Sequence, residues 1–430
     1  MRAAHPMTRA LFWNLLVALF APVYLVAALL PSARRRLLLW GSVPVVSNRY
    51  WSEALKEGGL PSMTVMEGWY SINRREDFDR YFEDFAPRFL PRVARLGLGT
   101  CLALLFALRR ARVVHIPFSG FALGRTWWWR LEPWLFCRAG VKIVCLPFGA
   151  DAYIYSRLID PSLRYGLLAS YPHFARADVA IAERVDLWSR YADAVVAGFI
   201  IDGLPRWDVT LPQMFVIDER EWQPRESYSQ ADGRNAAVRI LHTPNHRGFK
   251  GTEFIVAAVE ALKAEGLLID LVLLEGVPNT EVKKAMGEVD VLAEQIIFTG
   301  YALSGIEGMA SGLPVLANLE SETYTRVHRR YGFLDECPVL SASPETIRDS
   351  LRLLVTRPHL RETLGRAGRA YVEKYHSYEA ARFLFGSIYE RILDGKEVDL
   401  INLFHPLKAA PRGPRVEHPL IESRYPGEGA

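Results

Sequence analysis

The chain has 430 residues, half of them hydrophobic and 23% charged, with a formal net charge of +4. That length exceeds one ordinary domain and predicts two, with appendages. So small a net charge, with no zinc spacing, RNA-binding signature or heptad run, argues against a nucleic-acid partner. The four scattered cysteines (Cys101, Cys137, Cys145, Cys337) read as reduced thiols rather than a disulfide frame or metal site.

The amino terminus comes first. "LFWNLLVALFAPVYLVAALL", Leu11 to Leu30, is twenty residues without a charge, and Arg34 to Arg36 follow. That length crosses a hydrocarbon core of ~30 Å as a helix. A secretory leader has an apolar region of about 7–15 residues, which disfavours cleavage here. Asn14 and Pro22 make it an indifferent span, so a helix lying in the membrane interface or docked on the protein stands as the alternative. Residues 1–36 are expected to be a membrane-associating anchor, with the arginines placing the body on the cytoplasmic face of the membrane. A second apolar run, Leu96 to Leu108, is too short to span and reads as a buried or membrane-resting helix.

Residues 37–205 read as a first α/β domain. "LLLW" is a strand, Gly41 opens a turn, and a helix closes at Gly58–Gly59. "ARVVHIPF" and "VKIVCLPFGAD" are continuous apolar strands separated by helical stretches, the pattern of a parallel sheet covered on both faces. "ADVAIAERVDLW" and "ADAVVAGF" add two short alternating elements between about 177 and 199. His115 and His173 read as packed or capping residues. The aromatic cluster Arg125 to Trp134 reads as packing, with a membrane interface or sugar stacking as alternatives.

A proline-bearing connector, Ile201 to Asp218, leads to a second α/β series over residues 206–395. Residues 396–430, with several prolines and "PGEGA", are expected to be a flexible tail. Two open parallel sheets in tandem leave a cleft at the carboxyl ends of their strands, where helix amino termini present unpaired N–H groups.

Two stretches of the second series leave strands at that cleft. In "HTPNHRGFKGTE", His242 to Glu253, Arg247 and Lys250 sit in a glycine-bearing turn ahead of a helix. Such a turn makes either a diphosphate cradle or a solvated loop with two surface cations. In "SGIEGMASGLPV", Ser304 to Val315, Ser304 and Glu307 have capping-box spacing, while Gly305, Gly308, Ala310, Ser311 and Gly312 weaken the helix and let backbone approach a neighbour or ligand. Glu307 therefore either closes the helix start or accepts the two hydroxyls of a ribose. In the first domain Asp151, after Gly149–Ala150, either caps "AYIYSRL" or faces the cleft to contact a sugar hydroxyl or deprotonate an acceptor.

Here the chain resembles the group 1 (family 4) glycosyltransferases of GT-B fold. "GIEGMASGLPVLA" looks like their glutamate signature, and "HTPNHRGFKGTEFI" like their phosphate turn. "PFGADAYIY", "YADAVVAGFIIDGLPRWD" and "DVLAEQIIFTGYALSGIEGMASG" look most like a short-loop bacterial subset. The resemblance spans about positions 38–395. It implies two Rossmann-like domains facing a cleft, the first binding acceptor and the second a nucleotide-diphosphate sugar. It also implies transfer with retention, no cofactor beyond the donor, and no obligatory metal. By the same resemblance Arg247, Lys250 and Gly305 hold the diphosphate and Glu307 the ribose, with Asp151 as the catalytic candidate. Thr299 departs from the family, which has a glutamate there. The expected protein is a membrane-associated glycosyltransferase acting on a glycan or lipid-linked acceptor. An epimerase of similar fold and a non-catalytic nucleotide-sugar-binding subunit stand as alternatives.

Overall fold

The computed structural model describes residues 6–70, 73–410, 412–423 and 425, with only the backbone of residues 6–9. Seven strands form the first sheet: β1 (Leu37–Trp40), β2 (Ser62–Met66), β3 (Arg80–Tyr81), β4 (Ala111–Ile116), β5 (Lys142–Cys145), β6 (Ala194–Ala197) and β7 (Val209–Thr210). Five form the second: β8 (Val238–His242), β9 (Ile269–Leu273), β10 (Val291–Thr299), β11 (Val315–Asn318) and β12 (Leu340–Ser341). Their orders are β3-β2-β1-β4-β5-β6-β7 and β12-β11-β10-β8-β9, with parallel pairing throughout. The strands are apolar because helices cover both faces: Val113, Val114 and Ile116 of β4 and Ile240 and Leu241 of β8 are buried. Strand order reverses between β1 and β4 in one sheet and between β8 and β10 in the other. Ligands of such sheets bind at these switch points.

Some elements differ from the sequence reading. "ADVAIAERVDLW" lies in the helix Asp178–Tyr191, burying Ile181, Val185 and Trp188 at a spacing of three and four. "AYIYSRL" forms turns, so Asp151 caps no helix there. The helix Tyr378–Ile392, assigned to the second domain, crosses back onto the helix Val46–Glu57 of the first. Tyr378 donates to Glu53 at 2.9 Å, and the Tyr389 hydroxyl meets His115 Nε2 at 2.8 Å. The chain passes between the sheets twice, and the passages are bonded together: Ile217 N–H donates to the His376 carbonyl at 2.9 Å, and His376 Nδ1 meets the Phe215 carbonyl at 2.8 Å.

The tail, expected to wander, is anchored on the body at intervals: Leu400–Asn402 packs on β7 of the first sheet, and later residues lie on the second domain. Leu400, Val416 and His418 are buried, Arg415 pairs with Asp335 at 2.8 Å, and Lys374 donates to the Pro414 carbonyl. Its apolar anchors are too widely spaced to register as an element in the sequence.

The helix Pro6–Leu29 packs on the helix Arg92–Arg110, and residues 10–29 within it are long and apolar enough to cross a membrane. Val17, Tyr24, Ala27 and Ala28 lie in the core beside Leu104 and Ala107, and the Tyr24 hydroxyl donates to the Cys101 carbonyl. Removing residues 1–30 is expected to give an aggregating or detergent-dependent body, because it uncovers this core surface. A monodisperse truncated protein with an unchanged melting temperature overturns that expectation.

Candidate functional site

The two conspicuous stretches leave adjacent strands, β8 and β10, and so flank the switch point of the second sheet. After β8, His242 is buried and spans Ala293 and Thr252 with its two ring nitrogens, at 2.7 and 2.8 Å. Residues Arg247–Lys250 form one helical turn, ended by Gly251 at φ +78°. A Cβ on Gly251 would lie 2.5 Å from Ile296, so glycine lets this turn press onto β10.

That approach buries Lys250. Its side chain is 7% exposed, and Nζ donates to Glu294 Oε1 at 3.1 Å and to Gln295 Oε1 at 2.7 Å. Two of the three ammonium protons are thus used internally. Arg247 is exposed and held by Glu253 (2.7 Å) and Glu275 (2.9 Å).

The helix Leu303–Ala310 follows β10. The capping box expected between Ser304 and Glu307 does not form. Instead Glu294, from inside β10, receives the Ala302 N–H at 3.1 Å and the Ser304 hydroxyl at 2.8 Å. A Cβ at Gly305 would stand 2.7 Å from Glu294 Oε2, so Gly305 makes room for this carboxylate. Gly308 does the same for Leu292, at 2.5 Å. Glu294, with a 1% exposed side chain, therefore joins the Lys250 turn to the helix mouth.

Released from capping, Glu307 lies buried in the second turn of that helix. Burial pushes its carboxyl up to about 8, opposed by a hydrogen bond from Asn279 and the charge of Lys283. Asn279 and Lys283 share the helix Asn279–Glu288, which follows β9. From the first domain, burial and then the Glu307 charge raise the Tyr50 hydroxyl. Glu307, Asn279, Lys283 and Tyr50 are thus brought together.

Thr299 is buried at the end of β10 and pairs with Asn318 of β11. Just before it, Phe298 stacks near Phe249 and Tyr153, and Ile297 fits against Gly166 of the helix Pro161–Ser170. First-domain side chains thus pack directly on the end of β10.

Asp151 sits where the loops after β4 and β5 meet. Oδ2 accepts from Phe118 N–H at 2.9 Å, and Oδ1 from Phe148 and Gly149 N–H at 3.0 Å each. Burial pushes its carboxyl up to about 6 in spite of these bonds. Its geometry is that of a loop anchor. Beside it, at the switch point of the first sheet, a cavity of ≈ 40 Å³ is lined by Val43, Trp51, Pro117, Pro147, Phe148 and Phe215.

No family model and no curated protein matches the chain. Among solved structures it is similar to sucrose-phosphate synthase from Thermosynechococcus elongatus, with a TM-score of 0.53 and 14% identity over 84% of this chain and 100% of that one. It is also similar to S. aureus MnaA with UDP (TM-score 0.47, 12% identity, 83% of this chain and 97% of that one). A third is the catalytic domain of starch synthase IV from Arabidopsis thaliana, bound to ADP and acarbose (TM-score 0.47, 10% identity, 84% and 100%). The synthase is matched over its whole length by two parallel sheets joined across a cleft. This is the GT-B fold.

Of the residues singled out in the sequence, Lys250, Gly305 and Glu307 lie around the ends of β8 and β10, together with Glu294, Gln295, Asn279 and Lys283, which were not singled out. One signal was available: "EQ" is a charged and polar pair inside the otherwise apolar strand "VLAEQIIF". Buried charges need partners, so that pair required one nearby.

Proposed function

We propose that this protein is a membrane-associated glycosyltransferase of the cytoplasmic membrane face, moving a sugar from a nucleotide-diphosphate donor to a glycan or lipid-linked acceptor with retention. The carrying observation is the pairing, at one switch point, of Lys250 at a helix mouth with a buried Glu307 shared by Asn279 and Lys283. That wall suits a diphosphate at the Lys250 end and a ribose at the Glu307 end. In transfer, the bond from the anomeric carbon to the diphosphate oxygen breaks and the acceptor hydroxyl oxygen bonds to that carbon, releasing its proton. Lys250 and the helix amino terminus meet the charge gathering on the leaving diphosphate. Arg247 reaches the same phosphates on exchanging Glu253 or Glu275 for them. Asp151 acts by fixing the loops that shape the acceptor side. Retention follows from the family resemblance, as does the independence from metal.

A thermal-shift series across nucleoside diphosphates and their sugars tests the donor. A ligand bound only by the folded state, at a hundred times its Kd, stabilises by about 2.7 kcal/mol. No shift with any of them defeats the proposal. One observation favours a second reading, a donor-binding subunit without turnover: Thr299 replaces the family's glutamate. Binding without labelled transfer product would select it.

A further inference from the structure

We infer that the helix Pro6–Leu29 is a fixed in-plane membrane platform, seated on anionic lipid while docked to the body rather than spanning the bilayer. The inference rests on the membrane-associated reading above and specifies its partner and geometry.

The helix has two apolar arcs. The inner one carries Asn14, Val17, Tyr24, Ala27 and Ala28, all buried. The outer one carries Leu11, Leu15, Leu19, Val23, Val26 and Leu29, with Leu19 73% exposed. At 100° per residue these outer positions and Phe12 cover roughly 120° of the circumference, with no polar residue on that arc between residues 10 and 29. Residues 10–29 of the helix are about 30 Å long at 1.5 Å per residue. An apolar strip of that size does not stay in water.

The inner arc is locked. Asn14 Oδ1 accepts the Trp127 N–H at 2.7 Å, and the Asn14 carbonyl accepts from Trp128 Nε1 at 3.2 Å. At Gly97 an added Cβ would lie 3.2 to 3.4 Å from Leu16, Phe12 and Trp13, so a glycine sets this contact distance. Spanning would strip these bonds and place the Asn14 amide in hydrocarbon. The same bonds bring Trp127, 73% exposed, and Trp128 beside the strip, where indole rings settle at headgroup level. Phe89 and Val93 are exposed at the start of the neighbouring helix.

Charge selects the occupant. Residues 1–52 hold six arginines and residues 85–131 eight, with no aspartate or glutamate in either segment, while the rest of the chain is net acidic. These segments contain the helix pair as well as β1 and β4, and Arg49, Arg95, Arg112, Arg125 and Arg130 among them are already in ion pairs. Arg34, Arg88, Arg92 and Arg110 make no ion pair among the described residues. Arginines around an apolar strip fit anionic headgroups around acyl chains.

The test uses the full chain. Flotation with phosphatidylcholine vesicles is expected to be weak and to rise at least about tenfold when phosphatidylglycerol is included. Leu15→Asp/Leu19→Asp is expected to abolish it at an unchanged melting temperature, since Leu15 and Leu19 face outward. In a Cys137→Ser background, Ala10→Cys and Ala33→Cys are then probed with an impermeant maleimide in sealed membrane vesicles. Labelling of both from one side supports the platform. Labelling from opposite sides means a span, which overturns the inference but keeps the membrane-associated reading. Failure to bind either vesicle overturns both. A dimer that the Leu→Asp pair converts to monomer, without vesicle binding, assigns the strip to a second copy and also overturns the inference.

Discussion

Glu294→Ala is expected to be the most damaging single substitution in the second domain. It removes the carboxylate between Lys250, Ser304 and the Ala302 N–H, leaving a buried ammonium with Gln295 as its one remaining acceptor in the structure. Breaking a buried ion pair from one side costs about 3–5 kcal/mol, because the other charge stays desolvated. For a domain of this size that lowers the melting temperature on the order of 10 °C. Glu294→Gln keeps an acceptor and the shape, and should cost less. The Glu294→Leu/Lys250→Met double variant is expected to be more stable than the sum of the single changes, since neither charge is stranded. Melting of Glu294→Ala within a degree of the parent removes Glu294 as the tie between turn and helix. In the soluble variants, diphosphate affinity should fall with the loss of Lys250 placement.

Glu307→Gln should separate stability from binding. The folded carboxyl titrates near 8, above its ordinary value of 4.5, so its contribution to stability is complete below 4.5 and is lost as pH rises through 8. The glutamine variant has no such loss. It should therefore melt near the parent temperature at pH 4.5 and higher than the parent above pH 8. Measured above pH 8, where the carboxyl is ionised, nucleoside diphosphate affinity should move the other way, falling roughly ten- to hundredfold for a lost charge-assisted contact of about 1.5–3 kcal/mol. Ribose and 2′-deoxyribose ligands should be affected unequally, because one hydroxyl partner is missing from the second. Unchanged affinity for both returns Glu307 to packing and defeats the ribose assignment.

The parts legible in the sequence share a cause. β4, β5 and β8 show as continuous apolar runs because burial on two faces leaves no alternation, and that pattern alone yields two parallel sheets. Lys250 and Glu307 stood out because each follows a strand at its carboxyl end. What sequence could not supply was direction. Lys250 finds Glu294 forty-four positions away, and only the register of β8 on β10 brings them together. Ser304 and Glu307 have the right spacing to cap one another, yet a third residue, from inside the preceding strand, takes the place. The 3.6-residue rhythm of Tyr378–Ile392 marks a helix without saying which sheet it covers. Asp151 was read as cap or catalyst, and three backbone N–H groups from two loops claim it instead.

The bonded double passage between the sheets has a mechanical consequence. Were the two passages far apart, each would constrain the halves separately and relative motion would meet resistance from both. Tied at Phe215–Ile217 and His376, they form one pivot. The crossing helix Tyr378–Ile392 rides with the first half, fastened at Glu53 and His115. Any swing of the two halves is therefore centred on a single short axis, and it has to part the contacts of Tyr153 and Gly166 with Phe298 and Ile297 as well as the bonds from Ser321 to Asp160 and Tyr324 to Asp202. A peptide bond cut at this pivot would leave the terminal helix clasped to the first half by its packing and its bonds to Glu53 and His115, so the molecule is built as a two-piece clamp whose pieces trade a segment of chain.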